Sequence, residues 1–118
     1  GPAAAWYRAH ADPVVGGALR LLHNNIDRDW TVAELASAAG VSRAVLARRF
    51  TDLVGQPPMK YLAGWRTSVA ADLLAGSDQT LNSIARHVGY GTPFALSAAF
   101  KRERGISPSE YRRTFAAR

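Results

Sequence analysis

The chain repeats itself, and the repeat limits what it can fold into. Leu35-Ala36 through Gly40 matches Ile84-Ala85 through Gly89 at an offset of 49. Downstream, Leu46, Phe50, Gly55, Pro58 and Tyr61 match Leu96, Phe100, Gly105, Pro108 and Tyr111 at an offset of 50. The second copy therefore carries one extra residue in its turn. Two copies are too few for a solenoid, where a repeat leans on neighbours at both sides, so a paired module is the better reading. A length of 118 residues with 47% apolar side chains fits one domain with a modest core. There is no cysteine, which excludes disulfide staples, zinc fingers and thiol nucleophiles, so the fold must hold by packing alone.

Helix punctuation places the elements. Asp12-Pro13 combines an N-cap with proline at the first helical position and opens a helix through about Asn24, with Val14, Val15, Ala18, Leu19 and Leu22 inward. Thr31 and Glu34 form a capping box with Trp30 and Leu35 as its hydrophobic staple, and Ser107 with Glu110, flanked by Ile106 and Tyr111, repeats the device. From Pro58 to about Ala75, Tyr61, Leu62, Trp65, Val69, Leu73 and Leu74 recur at helical spacing until Gly76 ends the run. No stretch alternates apolar and polar residues, so the expected fold is all-α.

Within each copy a short helix is followed by a tight turn and a second helix. Ala36 is small where the second helix crosses closely, Gly40 suits a turn with positive φ, and Ser42 caps the next helix. The second copy offers Ala85, Gly89, and Thr92 as cap with Pro93 at the first helical position. One such pattern is common among helical hairpins. Two in register, each followed by Gly-x-x-Pro-x-x-Tyr, specify two helix-turn-helix units joined by a long linker helix.

In "LASAAGVSRAVLARRF", "GQPPMKYLAGWRTSVAADLL" and "IARHVGYGTPFALSAAFKRERGISPSEYRR", and in their spacing over roughly residues 30–113, the chain resembles the DNA-binding domain of AraC/XylS transcription regulators. The lead-in "DPVVGGALRLLHNNIDRDWTV" resembles the branch whose members carry an N-terminal cupin-type effector domain. The resemblance implies sequence-specific binding of double-stranded DNA for transcription regulation, with two recognition helices in successive major grooves about one helical turn, roughly 34 Å, apart. It also implies RNA polymerase as a partner, an effector held by a domain outside this sequence, and a cytoplasmic location. The expected organisation is a tag remnant (Gly1-Pro2) and flexible lead-in over 1–11, then the DNA-binding domain over 12–118. That domain divides into a first subdomain (12–56), the linker helix (57–76) and a second subdomain (77–118).

Helical geometry gives the DNA face independently. With Leu46 and Phe50 as inward rungs, Ala44 and Arg48 point outward, flanked by Arg43, Ala47 and Thr51. Arg48 can offer its fork to both acceptors of a guanine; the alternatives are a phosphate contact or a solvated side chain. With Leu96 and Phe100 inward, Phe94 and Ala98 point outward beside Pro93, Ser97 and Lys101. The family usually has arginine where this chain has Ala98 and a polar residue where it has Phe94, so hydrogen-bond readout by the second unit is weakened. Phe94 can touch a thymine methyl or pack on its own helix start. The expected base contacts are Arg43, Ala44, Ala47, Arg48, Pro93, Phe94, Ser97 and Ala98. The expected phosphate contacts are Ser42, Arg49, Thr51, Thr92, Lys101, Arg102 and Arg104, with Arg112, Arg113 and Arg118 near the end.

Charge supports a polyanionic partner. The net charge is +6, and residues 80–118 carry seven basic and two acidic side chains, hence five of the six net charges. This asymmetry suggests that the first unit sets most sequence preference while the second mainly clamps phosphates. Arg66 is expected to pair with a nearby carboxylate, and Trp65 to lie in the core. His10, His23 and His87 have no metal-ligand spacing and read as surface histidines, so no metal or cofactor is expected. No serine has a nucleophile-elbow context, no glycine-rich loop suits a phosphate, and no acidic pair suggests acid-base work, so no catalytic residue is expected. No apolar run approaches the roughly 20 residues of a membrane span. The competing class is a helical protein-interaction module with an incidental basic surface.

Overall fold

The computed structural model describes residues 1–116, so Arg118 lies outside the described residues. Among those residues there are eight helices and no strand: α1 (Pro2–Ala11), α2 (Pro13–Asn24), α3 (Val32–Ala39), α4 (Arg43–Val54), α5 (Pro58–Gly76), α6 (Leu81–Val88), α7 (Pro93–Arg104) and α8 (Pro108–Phe115). The all-α expectation holds.

Local chemistry sets the boundaries. Side chains of Asp12, Thr31, Ser42, Thr80, Thr92 and Ser107 each accept a hydrogen bond from a main-chain N–H of the first turn they precede. At the other ends, Gly40, Gly55, Gly89 and Gly105 terminate α3, α4, α6 and α7 with φ of 70°, 94°, 99° and 84°, a region where a side chain is strained. The caps Thr31 and Thr80 stand 49 residues apart, as do Gly40 and Gly89, while Gly55 and Gly105 stand 50 apart. The repeat is thus one of conformation as well as of residue type. The capping boxes close differently from expectation. The Glu34 and Glu110 carboxylates meet the Thr31 and Ser107 hydroxyls at 3.2 and 3.4 Å.

Two compact units result: residues 1–25 with 29–62, and residues 26–28 with 63–118. The first is centred on Leu19, Leu22, Leu35, Leu46 and Phe50, all fully buried, with Val15, Trp30 and Leu62 around them. The second is centred on Ile84, Val88, Leu96 and Phe100, with Ala70, Ala71 and Leu74. Each core carries the same aromatic pair at equivalent places: Phe50 meets Tyr61 edge-on at 5.7 Å, and Phe100 meets Tyr111 edge-on at 5.4 Å. Because α5 supplies Leu62 to one core and Ala70, Ala71 and Leu74 to the other, its apolar residues do not form a single stripe. Trp65, expected in the core, is only half-buried, and the small Ala70 and Ala71 hold the fully buried places instead.

Within residues 1–11, expected as a flexible lead-in, Pro2–Ala11 form α1. This helix packs on α2 and α4, and its Ala9 is fully buried. Gly16 permits the packing: a Cβ there would stand 2.2 Å from the His10 carbonyl oxygen. The sequence signal was present in Pro2 at a helix start followed by a run of alanine, but alanine periodicity is too weak to distinguish a packed helix from a frayed one.

Candidate nucleic-acid interface

In the first unit, α3 and α4 pack together across the Gly40 turn. Burial of Leu46 and Phe50 fixes the rotation of α4, since residues on the opposite side of a 3.6-residue period must face outward. Arg43, Ala44, Arg48 and Thr51 are accordingly exposed and Ala47 is half-buried. Ser42 caps this helix, its Oγ accepting from the Val45 N–H at 3.2 Å, which leaves the hydroxyl hydrogen available to a phosphate. Arg49 has an internal partner: its guanidinium pairs with the Asp12 carboxylate, tying α4 to the start of α2. Burial alone would raise the Asp12 carboxyl, but the Val15 N–H, Arg49 and the Val14 N–H together outweigh it and hold it below its ordinary value.

In the second unit, α6 and α7 repeat the arrangement. Leu96, Ala99 and Phe100 are buried, while Phe94, Ala98, Lys101, Arg102 and Arg104 are exposed and Pro93 and Ser97 half-buried. Phe94 is 85% exposed, so it does not pack on its own helix start. Thr92 caps α7 through the Ala95 N–H at 3.1 Å. Tyr90, beside the extra residue of this turn, is half-buried, and the Arg66 guanidinium lies 5.4 Å from its ring centroid. Burial pushes the Tyr90 hydroxyl up, with Arg66 and Arg102 working against it.

Two arginines have roles that sequence reasoning did not assign. Arg66 donates to the main-chain carbonyls of Ile26 at 3.0 Å and Arg28 at 2.8 Å, acceptors that the sequence reading did not name. Arg112, expected on phosphate, donates to the carbonyls of Leu74, Ser77 and Gln79 at 3.1, 3.2 and 2.8 Å, closing the end of α5 and the loop after it. Arg113 remains exposed. Two histidines expected as isolated surface residues, His10 and His23, stand 6.2 Å apart between ring centroids, beside Trp6 and Tyr61. His23 shares a 2.5 Å hydrogen bond with the Tyr61 hydroxyl. Burial, then His10, pushes His23 down, and burial pushes Tyr61 up to about 12. No cluster of metal-ligating side chains occurs among the described residues, and no helix there is long and apolar enough to cross a membrane.

The chain's likenesses agree with this geometry. A family model described as a helix-turn-helix domain matches residues 35–114. An AraC-like transcription regulator of Streptomyces lividans is 52% identical over 108 residues, covering 92% of this chain and 36% of the relative. The chain thus spans about a third of the length of the curated relatives it matches, which are named as transcription regulators. Among solved structures, the C-terminal domain of AraT, a response regulator from Geobacillus stearothermophilus, is 31% identical with a TM-score of 0.87, covering 91% of this chain and 89% of that one. The DNA-binding domain of the global transcriptional factor AdpA, solved with a target DNA, is 31% identical with a TM-score of 0.82, covering 89% and 94%. With all eight helices in place, both recognition helices exposed and these relatives alongside, the chain belongs to the AraC-type helix-turn-helix DNA-binding domains.

Proposed function

We propose that this domain binds double-stranded DNA sequence-specifically and serves a transcription regulator, α4 and α7 each entering a major groove in succession. One observation carries the reading: in both units the Leu-Phe rungs bury one side of the second helix and leave the other exposed, with Arg43 and Arg48 on α4 and Lys101 and Arg102 on α7. The DNA complex of AdpA supports it. In this reading Arg48 and Arg43 read bases, aided by close approach at Ala44 and Ala47. Pro93, Phe94, Ser97 and Ala98 face the second groove. Ser42, Thr51, Thr92, Lys101, Arg102 and Arg104 hold phosphates, whereas Arg49 and Arg112 serve the fold that presents them.

The greater length of the relatives supports a larger protein around this domain, and we infer an N-terminal cupin-type effector domain, contact with RNA polymerase, and action in the cytoplasm. The test is selection of binding sites from random DNA by this domain, followed by footprinting. Because one chain contains both helices, a monomer should protect one DNA face over about 15 to 20 base pairs. Recovery of no preferred sequence, or protection of a single half-turn, overturns the reading.

A further inference from the structure

The reading face of α7 lacks the donors that a recognition helix uses to distinguish bases by hydrogen bonds. The exposed or half-exposed positions of its first two turns are Pro93, Phe94, Ala95, Ser97 and Ala98, of which only Ser97 has a polar side chain. The cations Lys101, Arg102 and Arg104 begin one turn later. Phe94 is the second residue of the helix, at the end where recognition helices reach base edges, and it is the most exposed of the large apolar residues. Ala95 and Ala98 beside it are small, so nothing on the same face holds the ring back from a groove wall. An apolar ring kept in water next to a cationic stretch fits a partner that is anionic at its margin and apolar at its centre. The DNA major groove has that character only where thymine presents its C5 methyl, the sole apolar feature of the four base pairs there.

We infer that the second unit selects thymine by its methyl group, with Phe94 as the specificity-determining residue. The inference rests on the proposed DNA-binding function and deepens it: α4 reads acceptors through arginine, and α7 reads methyls through an apolar face. Removing one methyl from a contact with the ring forfeits the transfer free energy of about one methylene-sized group, which corresponds to about fourfold in affinity.

The probe is the tightest-binding duplex recovered by selection from random DNA, remade with each thymine in turn replaced by deoxyuridine, which keeps every hydrogen-bonding group and lacks only the methyl. The parent domain should lose about fourfold at one or two positions. Phe94→Ala should bind those substituted duplexes and the unsubstituted one equally, while its urea unfolding midpoint stays at the parent value because the side chain is exposed. Indifference of the parent to every replacement overturns the inference, as does a Phe94→Ala variant that remains as sensitive as the parent. Failure of the broader reading looks different: selection then recovers no preferred sequence and Arg48→Ala changes nothing. A preferred site that depends on Arg48 but ignores all thymine methyls sinks only the role of Phe94.

Discussion

Gly40 and Gly89 occupy equivalent turns with left-handed φ of 70° and 99°, yet their surroundings differ, and a pair of alanine substitutions separates two costs that usually come together. At Gly40 a Cβ would meet nothing within 4 Å, so Gly40→Ala suffers only the strain of a side chain in the left-handed region, about 1–2 kcal/mol. At Gly89 the added Cβ would stand 2.7 Å from the Arg66 Nη2 and 2.8 Å from the Ile26 carbonyl oxygen. The arginine end could swing away, but the carbonyl belongs to the backbone, and the swing breaks the guanidinium's bonds to Ile26 and Arg28. Loss of even one charge-assisted hydrogen bond costs about 1.5–3 kcal/mol, so with the left-handed strain Gly89→Ala should destabilise by about 2.5–5 kcal/mol in all. Urea unfolding followed by circular dichroism measures both variants. Amide exchange should show the Gly89→Ala loss concentrated in residues 63–116, since Ile26, Arg66 and Gly89 all belong to the second unit. Equal costs for the two variants would refute the clamp.

Arg48→Ala should weaken binding to the preferred site by about 1–3 kcal/mol and binding to random DNA hardly at all, whereas Lys101→Ala should weaken all sequences alike and lower the salt slope by about one, both read by titration across salt concentrations. Arg112→Ala should lower the melting temperature by several degrees, as expected for losing a guanidinium that joins three carbonyls, while Arg113→Ala leaves it unchanged; equal melting of the two would contradict the internal role of Arg112. Asp12→Asn should cost stability at pH 7. Because the folded carboxyl is held below its ordinary 3.8, its stabilising ionised form is fully present above that value and is lost as pH falls below it, so parent and variant should converge in acid unfolding below about pH 3.8.

The elements were legible because their signals are local. A hydroxyl or carboxylate before a helix and a glycine after it act through their own turn, so Asp12, Thr31, Ser42, Thr92, Ser107, Gly40 and Gly89 could be read without knowing the fold. Thr80 was missed, although it stands 49 residues after Thr31 and could have been found by extending the repeat upstream. The facing of α4 and α7 was legible for a related reason: two buried rungs fix a helix's rotation, and the remaining sides follow from the period. Trp65 was misjudged because apolar spacing on α5 was taken as one stripe, whereas that helix contributes to two cores in turn and uses alanine where packing is closest.

The arginines mark where legibility ends. Arg48, Arg49, Arg66, Arg112 and Arg113 all occur in helices and carry the same charge, so charge and period alone assign them alike. Their roles differ through acceptors supplied by distant parts of the chain. The Asp12 carboxylate lies 37 residues from Arg49, the Ile26 and Arg28 carbonyls 40 and 38 residues from Arg66, and the Leu74 carbonyl 38 residues from Arg112. A helix end or a loop leaves carbonyls without partners, and a guanidinium with five donors is the side chain best able to gather several of them. Once gathered, such an arginine holds the loop or helix end whose carbonyls it binds and has fewer donors left for a phosphate. Among the described residues, the exposed cations of the two second helices are Arg43 and Arg48 on α4 and Lys101, Arg102 and Arg104 on α7, the ones proposed to meet DNA. Substitutions of these five should register in DNA binding with the fold intact, and substitutions of Arg66 and Arg112 should register first in stability.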